Sequence, residues 1–342
     1  MKRHASSALS RLSPLVTRSL KRKLILCYHR FSAPGYPDLF HSPVSTVPLQ
    51  ELEKQLSWLK KFADFVPLEE IQSSATLHPT SLKKISKSAN KKRWQIAITI
   101  DDGYRDVIDL ALPIFNAFEV PVSWFITTRP VADQHWIPWW DLSAWLANQT
   151  AGNIQIHSEH VNARFDISNR DDRQKLQNHL QFLALQVGHS ATEQVAQQII
   201  EQTDLAGNAY CRAQDLHSAL KKHELLLAPH THHHSNLSLM SPEAQRQEIG
   251  DSRTHLKQWG ITPLNWFAYP FGKPWARTTE TPKLVRDLGF ENALTTQMGY
   301  IDKHSTAFEL PRISVDGRWN IRDFRSRVLF GPLAQSIKRF KR

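Results

Sequence analysis

The chain has 342 residues, of which 41% are hydrophobic and 22% are charged, a globular composition that excludes a wholly disordered protein. Its net charge of +11 is concentrated in residues 1–23, which hold seven basic residues, and residues 83–93, which hold six, and neither segment contains an acid. The remainder is close to neutral, so we expect no nucleic-acid partner.

The first segment, residues 1–23, is predicted to be a basic tail. Basic residues interrupt its apolar runs, so it lacks the apolar region of a secretory signal, and no run of about 18 apolar residues could span a membrane. We therefore expect a cytoplasmic protein. The tail could form a short amphipathic helix that contacts an anionic membrane, which would make the protein membrane-peripheral, or it could be disordered.

From residue 24 onward, short apolar runs alternate with helical patterns. Strands are predicted at 24–28, 96–100, 120–126, 224–228, 266–269 and 293–296, helices at 49–62 and 107–118, and a turn at 101–103. Successive β-α-β units indicate a parallel sheet or barrel with right-handed crossovers. We predict one barrel domain over 24–330, with a helical insertion at about 140–223 and a basic C-terminal tail at 331–342.

Two adjacent carboxylates, Asp101 and Asp102, follow the predicted strand at 96–100, and Gly103 comes directly after them. Like charges resist being held together in a poorly solvated place, and a bound cation would explain the arrangement. The alternative is that Asp101 caps the following helix while Asp102 points to solvent.

Four histidines lie at 230–234, just after the predicted strand at 224–228. His230 and His234 are four residues apart, so in a helical turn both imidazoles would leave the same side, while His232 would point elsewhere. Two histidines and one carboxylate with an open position form the ligand set of a catalytic divalent site. The alternative is a histidine-rich surface tract, but the aspartate pair at another strand end favours a metal site.

Three segments together resemble the motifs of the polysaccharide deacetylase family, the NodB-like carbohydrate esterases. Residues 99–104 read TIDDGY, residues 230–234 read HTHHH and residues 267–272 read FAYPFG. The segments LCYHR at 26–30 and LPRI at 310–313 resemble the branch found with bacterial exopolysaccharide and envelope-glycan synthesis. The resemblance implies an α/β fold, a distorted, TIM-like (β/α) barrel of the NodB type, with its site at the C-terminal ends of the strands.

By this resemblance, Asp101 is the general base, and Asp102, His230 and His234 hold a divalent metal ion. Zn²⁺ is expected first, with Co²⁺, Ni²⁺ or Fe²⁺ as alternatives. The family supplies an oxyanion-binding backbone amide from the position of Phe271. The implied activity is metal-dependent hydrolysis of N-acetyl groups from a glycan, either a polysaccharide or a lipid-linked saccharide.

The chain departs from the family pattern at two positions. Many members have an arginine where Ala268 stands, and we expect Arg312 to orient the catalytic aspartate instead, although it could form a surface salt bridge. The histidine that usually acts as general acid in the last motif is absent, and His29 is the best substitute. His29 could also be a core histidine, and His232 and His233 are weaker substitutes.

Aromatic and cysteine residues add two further expectations. Trp136, Trp139 and Trp140 could form a platform for sugar rings or pack in the core. Cys27 and Cys211 suit no disulfide framework or metal motif and are predicted to be buried thiols. Two alternative functions stay open, an amidohydrolase of the same family acting on a small non-carbohydrate amide and a catalytically inactive glycan-binding barrel.

Overall fold

The computed structural model describes residues 22–72 and 93–339, with side chains described as far as residue 333. The predicted tail up to residue 21 and the lysine-rich segment up to residue 92 lie outside the described residues. No helix among the described residues is both long and apolar enough to cross a lipid bilayer.

Twelve strands occur in the described part of the chain. They are β1 (Lys23–Tyr28), β2 (Arg30–Ser32), β3 (Thr46–Pro48), β4 (Ala63–Phe65), β5 (Trp94–Asp102), β6 (Val122–Ile126), β7 (Asn153–His157), β8 (Asn162–Asp166), β9 (Leu225–Pro229), β10 (Trp266–Ala268), β11 (Asn292–Leu294) and β12 (Ile313–Ser314). The central sheet is parallel, with the order β12-β1-β5-β6-β9, and β4 pairs with the start of β5. The pairs β2–β3 and β10–β11 are also parallel, whereas β7 and β8 form an antiparallel hairpin.

Helices connect these strands. The α-helices are α1 (Leu49–Leu59), α2 (Leu68–Gln72), α3 (Leu112–Ala117), α4 (Thr128–Ala132), α5 (Trp139–Ala147), α6 (Arg170–Phe182), α7 (His189–Glu201), α8 (Ala213–Lys222), α9 (Pro242–Gln258), α10 (Thr281–Asp287) and α11 (Ile321–Arg339). Single π-helical turns at Val107–Ala111 and Leu183–Val187 adjoin α3 and α6. Helix α1 starts directly after Pro48, which has no backbone N–H with which to extend the helix toward the N-terminus. The leucines of this helix are buried against the sheet.

The central strands separate two apolar layers, because successive side chains point to opposite faces of a sheet. In β1, Leu24 and Leu26 join the outer layer beneath the helices, and Ile25 joins the inner layer with Ala97 and Phe125. Strands β10 and β11 complete this inner layer, which fills the barrel. The distorted (β/α) barrel predicted from the sequence is confirmed.

Residues 139–205 build a second, smaller core from α5, α6, α7 and the β7–β8 hairpin. The helical insertion predicted at about 140–223 differs from the structure in two details. The hairpin was missed although Ile154 and Ile156 alternate with polar residues at the strand period. Helix α8 packs on the main core through Leu216 and Ala219, so it belongs to the barrel.

The predicted tail boundaries also differ from the structure. Lys23, assigned to the N-terminal tail, opens β1 by pairing with Gln95, and the Arg22 guanidinium lies 4.2 Å from the ring centre of Tyr300. At the other end, α11 continues to Arg339, so most of the segment predicted as a C-terminal tail is helical. The backbone hydrogen bonds of a strand or helix can continue past its last apolar residue, so the amino-acid composition does not show where the element ends.

Candidate metal centre

The acidic and histidine residues of the candidate site lie at the C-terminal ends of strands of the central sheet, and Arg312 reaches them from the loop before β12. Asp101 and Asp102 end β5, His230 follows β9 and Arg312 precedes β12. The predicted turn at 101–103 is corrected here, because both aspartates pair with β6 and the strand ends at Asp102, before Gly103. Parallel strands end at one rim of a barrel, so residues far apart in sequence meet there.

Asp102, His230 and His234 converge, and their candidate ligand atoms all lie within 4.8 Å of one another. His230 Nε2 is 3.6 Å from Asp102 Oδ1, and His234 Nε2 is 3.8 Å from the same oxygen. Ligands at about 2.0–2.2 Å from a tetrahedral ion lie roughly 3.3–3.6 Å apart. The His230–Asp102 distance falls in this range and the His234–Asp102 distance lies 0.2 Å above its upper end, so a small adjustment of the side chains would bring the three ligands onto one divalent cation.

The backbone that brings the two histidines together is a loop and not the helical turn expected from their spacing. Thr231 and His234 both adopt left-handed conformations, with φ of 64° and 58°. The Thr231 hydroxyl accepts a hydrogen bond from the His234 amide at 3.0 Å, which holds the loop in this shape. Strained residues of this kind are often found at functional sites, where the surrounding structure compensates their cost.

Both histidines are suited to bind a cation as neutral imidazoles. His230 Nδ1 lies 2.8 Å from the Ala268 carbonyl, a contact in which the ring donates a proton and leaves Nε2 free toward the site. Burial lowers the pKa of His230 and lowers that of His234 well below its usual value. Neutral rings with an available lone pair are the form in which histidine binds metals.

Asp102 carries the clearest sign that a cation belongs at this site. The residue is 7% exposed, and its Oδ1 is buried without a hydrogen-bond partner among the described residues. Burial, together with the neighbouring charge of Asp101, raises the pKa of Asp102 well above its ordinary value. A cation would satisfy the unpaired oxygen and keep the carboxylate ionised, so the residues present fit a divalent metal ion.

Asp101 is held in a different way, by an arginine that is completely buried. Arg312 donates from Nη1 to Oδ1 at 2.8 Å and from Nη2 to Oδ2 at 2.7 Å, and its Nε donates to the Thr295 carbonyl. The Cys27 thiol adds a contact of 3.3 Å to Oδ2. Burial alone would raise the pKa of Asp101, but the charges of Arg312 and His230 and the hydrogen bonds from Arg312 together outweigh it and keep that pKa below its usual range. Arg312 is thus placed to orient Asp101, and a surface salt bridge is excluded.

Phe271 lies on a sharply turned loop beside the ligands, with its ring centre 4.8 Å from that of His234. Its φ is 60°, and among the described residues no group accepts a hydrogen bond from its amide. The Thr296 hydroxyl donates to the Phe271 carbonyl at 2.7 Å and fixes the peptide from the other side. A Cβ on Gly272 would lie 2.3 Å from the Thr296 nitrogen, so only glycine fits there.

The sequence matches the family model for polysaccharide deacetylases over residues 88–293, more than half of the chain. The chain belongs to the polysaccharide deacetylase family. The family resemblance carried by the three sequence motifs is confirmed. No curated protein sequence matches the chain significantly.

Solved structures of deacetylases share the fold at low sequence identity. The deacetylase PplD of Streptococcus pyogenes is 16% identical, with a TM-score of 0.53, and 89% of this chain aligns with 96% of PplD. IcaB from Ammonifex degensii is 15% identical, with a TM-score of 0.53 and coverage of 87% and 93%. A polysaccharide deacetylase from Bacillus cereus is 13% identical, with a TM-score of 0.54 and coverage of 90% and 69%. At these identities the comparison shows the fold alone.

His29, the residue predicted from the sequence to replace the general acid, lies close to the site. A ring nitrogen of His29, the Cys27 sulfur and an Asp101 oxygen all lie within 4.8 Å of one another. The His29 Nδ1 is buried without a partner among the described residues, and burial lowers the pKa of His29 to about 4. The imidazole is therefore neutral at neutral pH.

The two weaker substitutes for the acid turn away from the ligand cluster. His232 Nδ1 lies 2.8 Å from the Thr128 hydroxyl, and its ring stacks on His255. His233 is held by Glu248, which accepts from its amide at 2.7 Å and lies 2.8 Å from its Nδ1. These contacts give both histidines a structural role in shaping the loop.

A hydrogen-bonded group behind the candidate metal ligands was not identified from the sequence. The Tyr104 hydroxyl donates to Asp141 at 2.8 Å and accepts from Trp140 Nε1 at 2.8 Å. The Trp140 ring centre lies 4.7 Å from that of His234, so the insertion supports a candidate ligand directly. The sequence contained one indication of this group, because Asp141 follows two tryptophans directly. A carboxylate that is buried with such neighbours needs a hydrogen-bond partner.

Proposed function

We propose that this chain is a metal-dependent N-deacetylase that hydrolyses acetamido groups of a glycan. The observation that carries the proposal is the convergence of Asp102, His230 and His234 beside Asp101, a buried carboxylate held by Arg312. The family membership supports a deacetylase. The use of a metal ion and the acetylated glycan as substrate are the parts that this proposal adds.

Asp102, His230 and His234 would hold the divalent cation, with Zn²⁺ the first candidate. A cation bound there would supply Lewis-acid polarisation of the acetamide carbonyl and would acidify a water molecule. Asp101 accepts the proton of the attacking water at a carboxylate oxygen. Its two bonds to Arg312 keep it ionised and correctly turned, which a general base needs.

The remaining groups act on the oxygen and nitrogen of the scissile amide. The Phe271 amide, which has no acceptor among the described residues, donates to the oxyanion of the tetrahedral intermediate. The departing amine needs a proton, and we assign its delivery to His29. Because His29 is neutral in the resting site, it has to receive the proton that Asp101 has taken from water before passing it on.

Acetate release tests the proposal directly. Full-length protein stripped of metal is assayed with N-acetylated oligosaccharides, lipid-linked glycans and small acetamides, before and after addition of Zn²⁺, Co²⁺, Ni²⁺ or Fe²⁺. We expect metal-dependent release from glycans and little from small acetamides. Release that is equally fast from small acetamides would favour the amidohydrolase alternative, and no release with any metal would favour an inactive glycan-binding barrel.

The cytoplasmic location and the contact of the N-terminal tail with anionic membranes also remain proposals, and they rest on the charge pattern of residues 1–23. A lipid-linked or nascent envelope saccharide would fit such a location. Fractionation of cells, followed by a salt wash of the membrane fraction, tests both.

A further inference from the structure

A second group of side chains with the ligand types of a metal site lies beside the candidate metal centre and contains none of its three ligands. It consists of Cys27, His29 and Asp101, and one ligand atom of each residue lies within 4.8 Å of the other two. Cys27 lies in β1 and His29 directly follows that strand, so side chains two positions apart leave the chain on the same side. Asp101 lies on the adjacent strand β5, one position beyond the Tyr28–Ile100 pair. The parallel register therefore brings the three side chains together.

The Cys27 sulfur and an Asp101 oxygen already have nearly the separation of two ligands on one ion. The thiol donates to Asp101 Oδ2 at 3.3 Å. A sulfur at about 2.3 Å and a carboxylate oxygen at about 2.0–2.2 Å from a tetrahedral ion lie roughly 3.5 Å apart. Arg312 Nη2 donates to the same oxygen at 2.7 Å, but a carboxylate oxygen has two lone pairs. An ion can therefore take the position of the thiol proton while the ion pair with Arg312 is kept.

His29 supplies the third ligand and the way in. The His29 ring is partly exposed, whereas Cys27 is fully buried and Asp101 is 1% exposed. The Nδ1 atom of His29 is buried without a hydrogen-bond partner among the described residues. A neutral imidazole with an unpaired nitrogen is the form of histidine that binds metal ions. The residue that an ion would meet first is thus also a suitable ligand.

The charges around this group favour weak binding of an ion that prefers sulfur. Arg312 repels a cation, as does an ion at the candidate metal centre, where His230 Nε2 is 3.8 Å from Asp101 Oδ2. Binding releases the Cys27 thiol proton to solvent, so the group gains one positive charge and not two. Burial raises the pKa of Cys27 well above its ordinary value, so only an ion with high affinity for thiolate, such as Zn²⁺ or Cd²⁺, displaces that proton.

We propose that Cys27, His29 and Asp101 form an inhibitory site for a second divalent ion that prefers sulfur ligands. An ion bound there occupies an Asp101 oxygen and a His29 nitrogen, the two groups to which we assign proton transfer, and so blocks both. Turnover therefore rises as the candidate metal centre fills and falls again in excess Zn²⁺. Mg²⁺ and Ca²⁺, which prefer oxygen ligands, do not cause this inhibition. Occupation of the site rests on the geometry, whereas the loss of turnover rests on the proposed function.

Binding is tested with Cd²⁺ on metal-free, full-length protein. A bond between Cd²⁺ and a thiolate gives an ultraviolet charge-transfer band that nitrogen and oxygen ligands do not give. Wild type should show this band, and Cys27→Ala should lose it. Cys27→Ser, which keeps a hydrogen-bond donor to Asp101, should lose it as well and replaces Cys27→Ala if that variant does not fold. Cys211→Ala is the matched control, since it removes the other buried thiol, and it should keep the band. No band in wild type, or a band that survives without Cys27, would overturn the site.

Inhibition is tested by acetate release from an N-acetylated oligosaccharide over a range of Zn²⁺ concentrations, with each variant compared with its own maximal rate. Wild type and Cys211→Ala should be activated and then inhibited. In both Cys27 variants, the Zn²⁺ concentration that halves the maximal rate should rise by at least about tenfold, the scale found when a metal site loses a supporting group. Unchanged inhibition in these variants would overturn the inhibitory role. If no variant releases acetate with any metal, the proposed function fails, and a cadmium band that depends on Cys27 still supports the site.

Discussion

The rim of the barrel and the insertion contribute to the site in different ways. At the rim, Asp101 and Arg312 are almost fully buried and are fixed by two short hydrogen bonds to each other. In the insertion, Trp139 and Glu193 are partly exposed and face an open groove. Rigid, paired charges suit the chemistry, whereas an accessible aromatic wall suits recognition of a variable substrate.

This difference predicts that substitutions at the rim affect turnover and stability, and that substitutions in the insertion affect substrate choice. The two regions are joined by Trp140, which contacts His234 and bonds to Tyr104. Substitution of Trp140 is therefore expected to affect both turnover and substrate choice.

The largest effect is expected for Arg312→Met. Removing the guanidinium leaves Asp101 as an uncompensated buried charge, which should lower the free energy of unfolding by about 3–5 kcal/mol and abolish most turnover. Arg312→Lys should recover part of the stability but little activity, because lysine cannot form the bidentate pair. Urea unfolding and acetate release measure both.

Arg277→Met serves as the control for that variant. Arg277 is also buried, but its partner Glu309 is 42% exposed and can be solvated, so a smaller loss of stability is expected. Equal destabilisation in the two variants would contradict the claim that the Arg312–Asp101 pair contributes more to stability than the Arg277–Glu309 pair.

A large effect on turnover is expected for Gly272→Ala. The new Cβ would meet the Thr296 backbone and displace the Phe271 amide, so kcat should fall by about 100-fold, the scale of losing one oxyanion donor. Metal content should not change. Gly207→Ala, in the loop between α7 and α8, is the control, because its φ of 71° is similar but nothing lies within 4 Å of the added Cβ. A normal kcat in Gly272→Ala would exclude Phe271 from the mechanism.

A moderate, pH-dependent effect is expected for Asp141→Asn. Burial raises the pKa of Asp141 to about 7, well above its value of about 3.9 in an unfolded chain. The folded protein therefore binds the extra proton between these values, and stability is lost as the pH rises from about 4 to 7. The asparagine avoids this loss and can still accept a hydrogen bond from Tyr104.

Urea unfolding of the metal-free protein should thus show Asp141→Asn to be more stable than wild type by about 1–3 kcal/mol at pH 8, with little difference at pH 4.5. Asp204→Asn, at an exposed position in the loop after α7, should match wild type at both pH values. An Asp141→Asn variant that is equally destabilised at both values would indicate that the carboxylate is needed in its ionised form.

The smallest effect is expected for deletion of residues 1–21. Turnover of a soluble glycan should stay within about twofold of wild type, since the described barrel begins at Arg22 and Lys23. Binding to vesicles that contain anionic lipid should weaken, and the binding of wild type should itself be released by salt. Loss of soluble turnover on deletion would place the segment within the folded domain.

The sequence predicted the barrel and its rim well, because both depend on local pattern. Short apolar runs followed by polar residues indicate strand ends, and parallel strand ends have to meet. This logic placed Asp101 near His230 although 128 positions separate them in the chain. The sequence also predicted that Arg312 orients Asp101, although Arg312 lies directly before β12 and β1 separates that strand from β5.

The details that failed depend on backbone geometry that no periodicity encodes. His230 and His234 meet through left-handed residues in a loop, so a correct pairing followed from an incorrect helical turn. The β7–β8 hairpin was missed because its polar composition resembled the helices around it. The groove that Trp139 and Glu193 face arises only when the insertion packs against the barrel, which composition could not reveal.

The most direct test of the account compares Asp101→Asn with Asp102→Asn for bound metal and for acetate release. If Asp101 is the base and Asp102 a ligand, Asp101→Asn should keep the metal and lose turnover by about 10²–10⁴-fold. Asp102→Asn should lose metal affinity, and excess metal should restore part of its rate, because an amide oxygen is a poorer ligand than a carboxylate. Loss of metal in Asp101→Asn, or retention of most of its turnover, would contradict the assignment of the two aspartates.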